Sequence, residues 1–286
     1  MKTIIISNIR EETESIIRYG LNFGKHTETK TDIFHLIDPK AMHGPYSSYS
    51  DSQTTTPGEK LSHEEVMKRE KEMADNDFKK ILSREVSRLN YPLRVNTEIE
   101  IKEMEPALKE AQKEDPNSLL VSGTIPGSHM VRGLDELLEM ARNAGLLTLV
   151  VPPGHEFVKP ENAVLVSDLE KGKSPNAKYL FEWLDPFNTL IFTCSLIQDE
   201  NQADIEQNTY EWMEDIKSYS GSGLDYNTGV MKGDDQVGIL LDHVRKNNPD
   251  LVILPSDKKS VTGDYLFSGE LARQMVETFD KPVLFY

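Results

Sequence analysis

The stretch GVMKGDDQVGILLDHVRKNNPDLVILPSD, Gly229 to Asp257, decides the fold. It opens on a short β-prone run that ends near Met231. A helix over Gln236 to Lys246 follows. Asn248 and Pro249 break it, and Leu251 to Leu254 form a wholly apolar strand. An apolar run of four residues between turn signals is the mark of a strand covered on both faces. Strand, helix, strand in this spacing is a crossover unit, so the two strands run parallel.

Outward from that unit the same order recurs. Downstream, a helix over Gly269 to Phe279 leads to a strand at Pro282 to Phe285. Upstream, Ala163 to Ser167 and Leu190 to Ile197 are strands, with helices near Pro175 to Leu184 and Asp204 to Lys217. The first half repeats this pattern. Its strands are Thr3 to Ser7, Asp32 to Ile37, Arg94 to Ile101, Ser118 to Val121 and Leu146 to Val151. Its helices are Glu11 to Phe23, Ser62 to Leu89, Pro106 to Lys113 and Gly133 to Asn143. The Ser62 to Leu89 helix carries an apolar stripe of Val66, Met73, Phe78, Ile81, Val86 and Leu89. PPGHEFVKPEN, Pro152 to Asn162, has the composition of a linker. The fold class is therefore α/β, with two tandem doubly wound domains over 1–152 and 161–286. Each is a five-stranded, mainly parallel sheet flanked by helices, and the two are related by a pseudo-two-fold axis.

The chain has 286 residues, 37% of them hydrophobic, enough for two packed cores. Its 48 acidic side chains against 32 basic ones give a formal charge of −16. That balance argues against a nucleic-acid partner, which requires a basic face. No apolar run is long enough to span a bilayer, and the start reads as no signal peptide. A single cysteine, Cys194, excludes an internal disulfide framework and suits a cytoplasmic location.

In open sheets of this kind ligands sit beyond the carboxyl ends of the strands. That directs attention to Ser7–Glu11, Gly123–Gly133, Asp168–Ser174 and Pro255–Glu270. None of these carries a nucleophile elbow, a zinc-protease helix or a complete P-loop, which favours binding over catalysis. Cys194 lies in an apolar strand and reads as a buried thiol. His26, His35 and His43 fit no metal-ligand spacing, and no metal site is expected. Ser47 to Thr56 reads as a connecting loop.

The Gly229–Asp257 passage resembles the third strand, third helix and fourth strand of the universal stress protein family. KPVLFY and LLTLVVP resemble its last strand, so the resemblance covers the chain as two tandem copies. Members of that family that bind ATP carry an Asp after strand one and G-x2-G-x9-G-[ST] after strand four. Glycines there let backbone N–H groups approach phosphate, and the helix N-terminus adds partial positive charge.

The resemblance puts Asp168 on the family Asp, while Pro255 and Lys258 replace the first two glycines. With one extra loop residue, Gly269 takes the third glycine and Glu270 the Ser/Thr. Pro255 has no N–H. A carboxylate ~4 Å from phosphate costs up to about 4 kcal/mol at an effective dielectric of ~20. Lys258 and Lys259 would offset part of that as mobile charges. The candidate nucleotide set is thus Asp168, Ser256, Lys258, Ser268 and Gly269, with ATP or another adenine nucleotide as the implied cofactor on an incomplete motif.

In the first half, Asn8 replaces the Asp, and Gly123, Gly127 and Gly133 remain with Leu134 after them. Gly123, Gly127, Ser128, Arg132 and Gly133, with His129 beside them, form a candidate second anion site. The resemblance implies a cytoplasmic stress-response protein acting as a sensor or binding module, with weak or lost nucleotide binding. Its partner is a small polar ligand or a protein. The alternatives are an ATP-binding protein with slow hydrolysis, for which Asp257 or Asp264 would serve, and a scaffold with empty crevices. The two last strands would pair within the chain as an internal pseudo-dimer, and a further homodimer is compatible with that.

Overall fold

A computed structural model of the chain describes residues 1–6, 11–37, 63–89, 94–124, 133–167, 177–197, 202–219, 226–232, 236–256 and 269–286. The first half runs β1 (Lys2–Ile6), α1 (Glu11–His26), β2 (Lys30–Ile37), α2 (His63–Leu89), β3 (Val95–Ile101), α3 (Met104–Glu114), β4 (Ser118–Gly123), α4 (Leu134–Ala144) and β5 (Leu147–Val151). The second runs β6 (Asn162–Ser167), α5 (Ala177–Leu184), a 3₁₀ turn (Asp185–Phe187), β7 (Leu190–Ile197), α6 (Gln202–Tyr219), β8 (Tyr226–Lys232), α7 (Gln236–Asn247), β9 (Leu251–Leu254), α8 (Gly269–Phe279) and β10 (Val283–Phe285).

The ten strands among the described residues join one sheet, in the order β3-β2-β1-β4-β5-β10-β9-β6-β7-β8. Every neighbouring pair is parallel except β5 with β10, which meet antiparallel: Val150 faces Val283, Leu149 faces Leu284, and Thr148 faces Phe285. Each half therefore has the same strand order, reflected about that central pair. The antiparallel junction uses the two edges that would otherwise stay open at the middle.

Burial explains the strand sequences. The runs TIII, SLLV, LTLVV, AVLV and LVIL are buried throughout because helices cover both faces. Alternation then splits them between two cores. Ile4, Ile6, Leu120, Val164 and Val252 face α3, α4, α7 and α8, whereas Ile5, Leu119, Val121, Leu165 and Ile253 face α1, α2 and α5. Both cores run across the divide between the halves without interruption.

Two local readings change. Met73 is 56% and Val86 42% exposed; the buried row of α2 is Ala74, Phe78, Ile81, Glu85 and Leu89. The 3.6-residue period through Phe78 lands on Ala74 and Glu85, one residue from each expected apolar position. Glu85 tolerates burial because Arg18 Nε donates to its Oε1 at 3.2 Å. The linker-like segment also packs. Phe157 meets Tyr19 edge-on at 5.3 Å and lies against Phe23, His26 and Phe187. Asp250 then holds the entry to β6, accepting from the N–H of Glu161 and of Asn162 at 3.0 Å each.

Candidate functional site

Within each half the carboxyl ends of the parallel strands lie at one edge of the sheet, and because β5 and β10 are antiparallel the two halves present theirs at opposite edges. In the first half β4 ends at Gly123, and α4 begins after Gly133. Gly133 is fully extended (φ −179°), a conformation open to any residue, and a Cβ there would meet nothing within 4 Å. Its glycine therefore reflects neither strain nor crowding within the chain. No side chain caps α4, whose first turn carries Asp135 and Glu136. Those acids already complement the helix dipole and repel an incoming anion. Gly127, Ser128, His129 and Arg132 lie outside the described residues, as does Asn8.

In the second half, Pro255 and Ser256 follow β9. Ser256 is committed elsewhere: its N–H and its hydroxyl both donate to the Tyr286 carbonyl, at 2.8 Å each. Its own carbonyl accepts from Arg142 of α4 at 3.5 Å. The described start of this loop thus presents no proton donor to a ligand. Asp168, Lys258, Lys259 and Ser268 lie outside the described residues, with Asp257 and Asp264.

The sheet register shows which residues correspond between halves. Leu149 and Leu284 pair at the centre, and next to them stand Val121 and Ile253, then Ile5 and Leu165. Gly123 therefore matches Pro255, as the sequence suggests. Beyond the central pair, Gly145 and Asp280 both take left-handed backbone after their helices. Gly269 accordingly opens α8 as Leu134 opens α4; the counterpart of Gly133 is position 268, outside the described residues.

The remaining sequence candidates separate clearly. Cys194 is fully buried, and burial pushes its thiol up to about 12, so it is neither a nucleophile nor a ready ligand. His26 lies against Phe157, the rings tilted and their centroids 4.8 Å apart, and His35 lies buried against Phe78. Among the described residues no three potential ligands gather to hold a metal ion. His43 and the Ser47–Thr56 loop lie outside them. Among the described residues no helix is long and apolar enough to cross a membrane.

Several positioning residues escaped the sequence reading. Asn117, before β4, accepts from Trp183 Nε1 at 2.9 Å and donates to Glu182, joining the first half to α5. Trp183 also packs on Phe23 at 5.7 Å, the two rings sitting at the same distance before β7 and β2. Tyr286 donates its hydroxyl to the Val166 carbonyl at 3.1 Å, at the end of β6. An aromatic followed seven residues later by a strand, once in each half, was the available signal for the Phe23–Trp183 pair.

No protein-family model matches the chain, and no curated protein matches it significantly. Solved structures do. A universal stress protein from Archaeoglobus fulgidus DSM 4304 superposes with a TM-score of 0.67 at 10% identity, over 99% of this chain and 97% of that one. A putative universal stress protein from Pseudomonas aeruginosa UCBPP-PA14 gives 0.52 at 12% identity, over 99% and 92%. The cytoplasmic domain of a prokaryotic cation chloride cotransporter gives 0.54 at 10% identity, over 99% and 93%. Each likeness runs nearly end to end, so it concerns the whole ten-stranded architecture and not one half. The chain has the fold of the universal stress proteins, carried twice along one polypeptide.

Proposed function

We propose that this protein is a non-catalytic binding module, a sensor of the stress-response type, whose nucleotide binding has weakened or been lost. The observation that carries this reading is the state of the loop root after β9. Pro255 has no N–H, and Ser256 directs both its N–H and its hydroxyl to Tyr286. A phosphate cradle works by aiming free backbone donors at oxygen atoms, and here the first two positions supply none.

The units of function would be domains over 1–152 and 161–286, with β5 and β10 serving as an internal pseudo-dimer interface. The crevice of the second half, with Asp168, Lys258, Ser268 and Gly269 as its remaining candidates, would hold a small polar ligand. The fold alone does not choose the ligand, since a cotransporter domain shares it. A cytoplasmic location accords with the lone buried cysteine.

Thermal denaturation with and without 1 mM Mg·ATP, paired with a phosphate-release assay, tests the proposal. A ligand at 100 times its Kd stabilises by about 2.7 kcal/mol, several degrees for domains of this size. The expected result is a shift well below that, with phosphate release at background. A shift of several degrees that disappears in Asp168→Ala would overturn the weak-binding reading. Phosphate release above background that disappears in the same variant would overturn the non-catalytic one.

A further inference from the structure

Pro255 removes a hydrogen-bond donor from the carboxyl end of a parallel ladder, and the chain replaces it from elsewhere. Along a strand, successive N–H groups point to opposite neighbours. The N–H of Val252 donates to Pro282 at 3.1 Å and that of Ser256 to Tyr286 at 2.8 Å, so these alternate residues face β10. Position 255 falls between them and faces β6. Leu165 pairs with Ile253, which puts the Val166 carbonyl opposite the nitrogen of residue 255. Proline has no hydrogen there to give.

The Val166 carbonyl is nonetheless satisfied, by the Tyr286 hydroxyl at 3.1 Å in a buried setting. Tyr286 is itself only 6% exposed, its ring packed in the core beneath α1 and α5. The other half supplies the control. Gly123, in the place of Pro255, retains its N–H. Val151, in the place of Tyr286, has no hydroxyl. Each half carries one donor for that carbonyl position, from the backbone in the first and from a side chain in the second.

We infer that Tyr286 is a positioning residue: its hydroxyl stands in for the N–H that Pro255 lacks, and so fastens the end of β6 to the end of β9. Residue 168 follows closely on the first of these ends and residues 257–268 follow the second, so the tie sets the separation of the two roots of the proposed crevice. Only that last consequence rests on the proposed function. The same residue takes both donors of Ser256, so one side chain and one carbonyl hold both roots.

A double-mutant cycle tests the inference, using urea denaturation of the full chain for wild type, Tyr286→Phe, Pro255→Ala and the double variant. Tyr286→Phe leaves a buried carbonyl without a donor and should lower the folded-to-unfolded ratio roughly tenfold or more. Pro255→Ala restores the N–H, so the same hydroxyl deletion in that background should cost at most about a quarter as much in that ratio. Equal losses in the two backgrounds, or no loss in either, would overturn it. Amide exchange at Ser167 and Ser256 supplies a local readout: both should exchange faster in Tyr286→Phe and recover in the double variant. Exchange unchanged at both amides overturns the fastening. No ligand enters these measurements, so their failure is distinct from failure of the nucleotide experiment.

Discussion

The two halves share a strand order and differ in what they bury beside it. On the face under α3, the first half places Lys2 next to Asp32, with Nζ and Oδ2 3.0 Å apart and both side chains almost fully enclosed. Glu114 joins the pair at 3.0 Å and Lys30 reaches Asp32 at 3.0 Å. The corresponding positions of the second half are Asn162 and Phe192. One half thus solves with buried charge what the other solves with an amide and a ring. Burial by itself opposes the charge on Lys2, yet hydrogen bonds and attraction from Asp32 and Glu114 outweigh it and hold the ammonium above its ordinary range. The lesson is that one backbone accepts either solution provided each charge has its partner.

The first way to break the comparison is to exchange the solutions. Lys2→Asn alone leaves Asp32 enclosed with only Lys30 beside it, and should cost about 3 kcal/mol in urea denaturation. Adding Asp32→Phe removes the stranded charge and should recover most of that loss. A double variant as unstable as the single one would show that the halves are not interchangeable here.

The strand ends provide the second. Gly123→Pro should cost about 2–3 kcal/mol, since Val151 offers no hydroxyl to replace the lost N–H. Pro255→Gly should change stability by less than about 1 kcal/mol, because Tyr286 already serves the carbonyl. Similar losses at both positions would erase the distinction.

The segment between the halves comes third. Phe157→Ala, judged by thermal denaturation, should cost about 2 kcal/mol, less than a fully buried phenylalanine would. Its ring is half-buried among Tyr19, Phe23, His26 and Phe187. A silent substitution would return the segment to the status of a plain linker.

The smallest effect concerns Glu98, which stands where the second half has Gly229. Burial, then the charges of Asp32 and Glu100, raise its carboxyl above the ordinary value of 4.5. The folded chain therefore holds that proton longer than the unfolded one. Stability contributed here is present below 4.5 and is lost as pH rises through the raised value. Glu98→Gln should stabilise by less than about 1 kcal/mol at neutral pH, discounted for solvent access, and by nothing near pH 4. Stabilisation of the same size at both pH values would assign the effect to packing.

Much of the fold was readable in the sequence because strands and helices leave their period in neighbouring residues. SLLV, LVIL and AVLV announce strands covered on both faces, and the Gly229–Asp257 passage announces a parallel crossover, because burial in a layered α/β fold acts on consecutive side chains. The repeat of that order predicts the two halves. The candidate site was legible only as loops of altered composition. Nothing local to Pro255 shows that Ser256 spends its donors on a residue 30 positions later.

What the amino-acid sequence determined alone was therefore the kind and order of the elements, their tandem repetition and the acidic, cysteine-poor surface chemistry. Tertiary structure decided the rest. It put Glu85 inside α2 and Val86 outside, it turned Phe157 inward, and it joined Lys2 to Asp32 and Glu114. It also set Tyr286 against Val166, 120 residues apart along the chain. The physical reason is the same in each case. Periodicity is written within a few residues, but a buried polar atom must find its partner wherever the sheet brings one within about 3 Å.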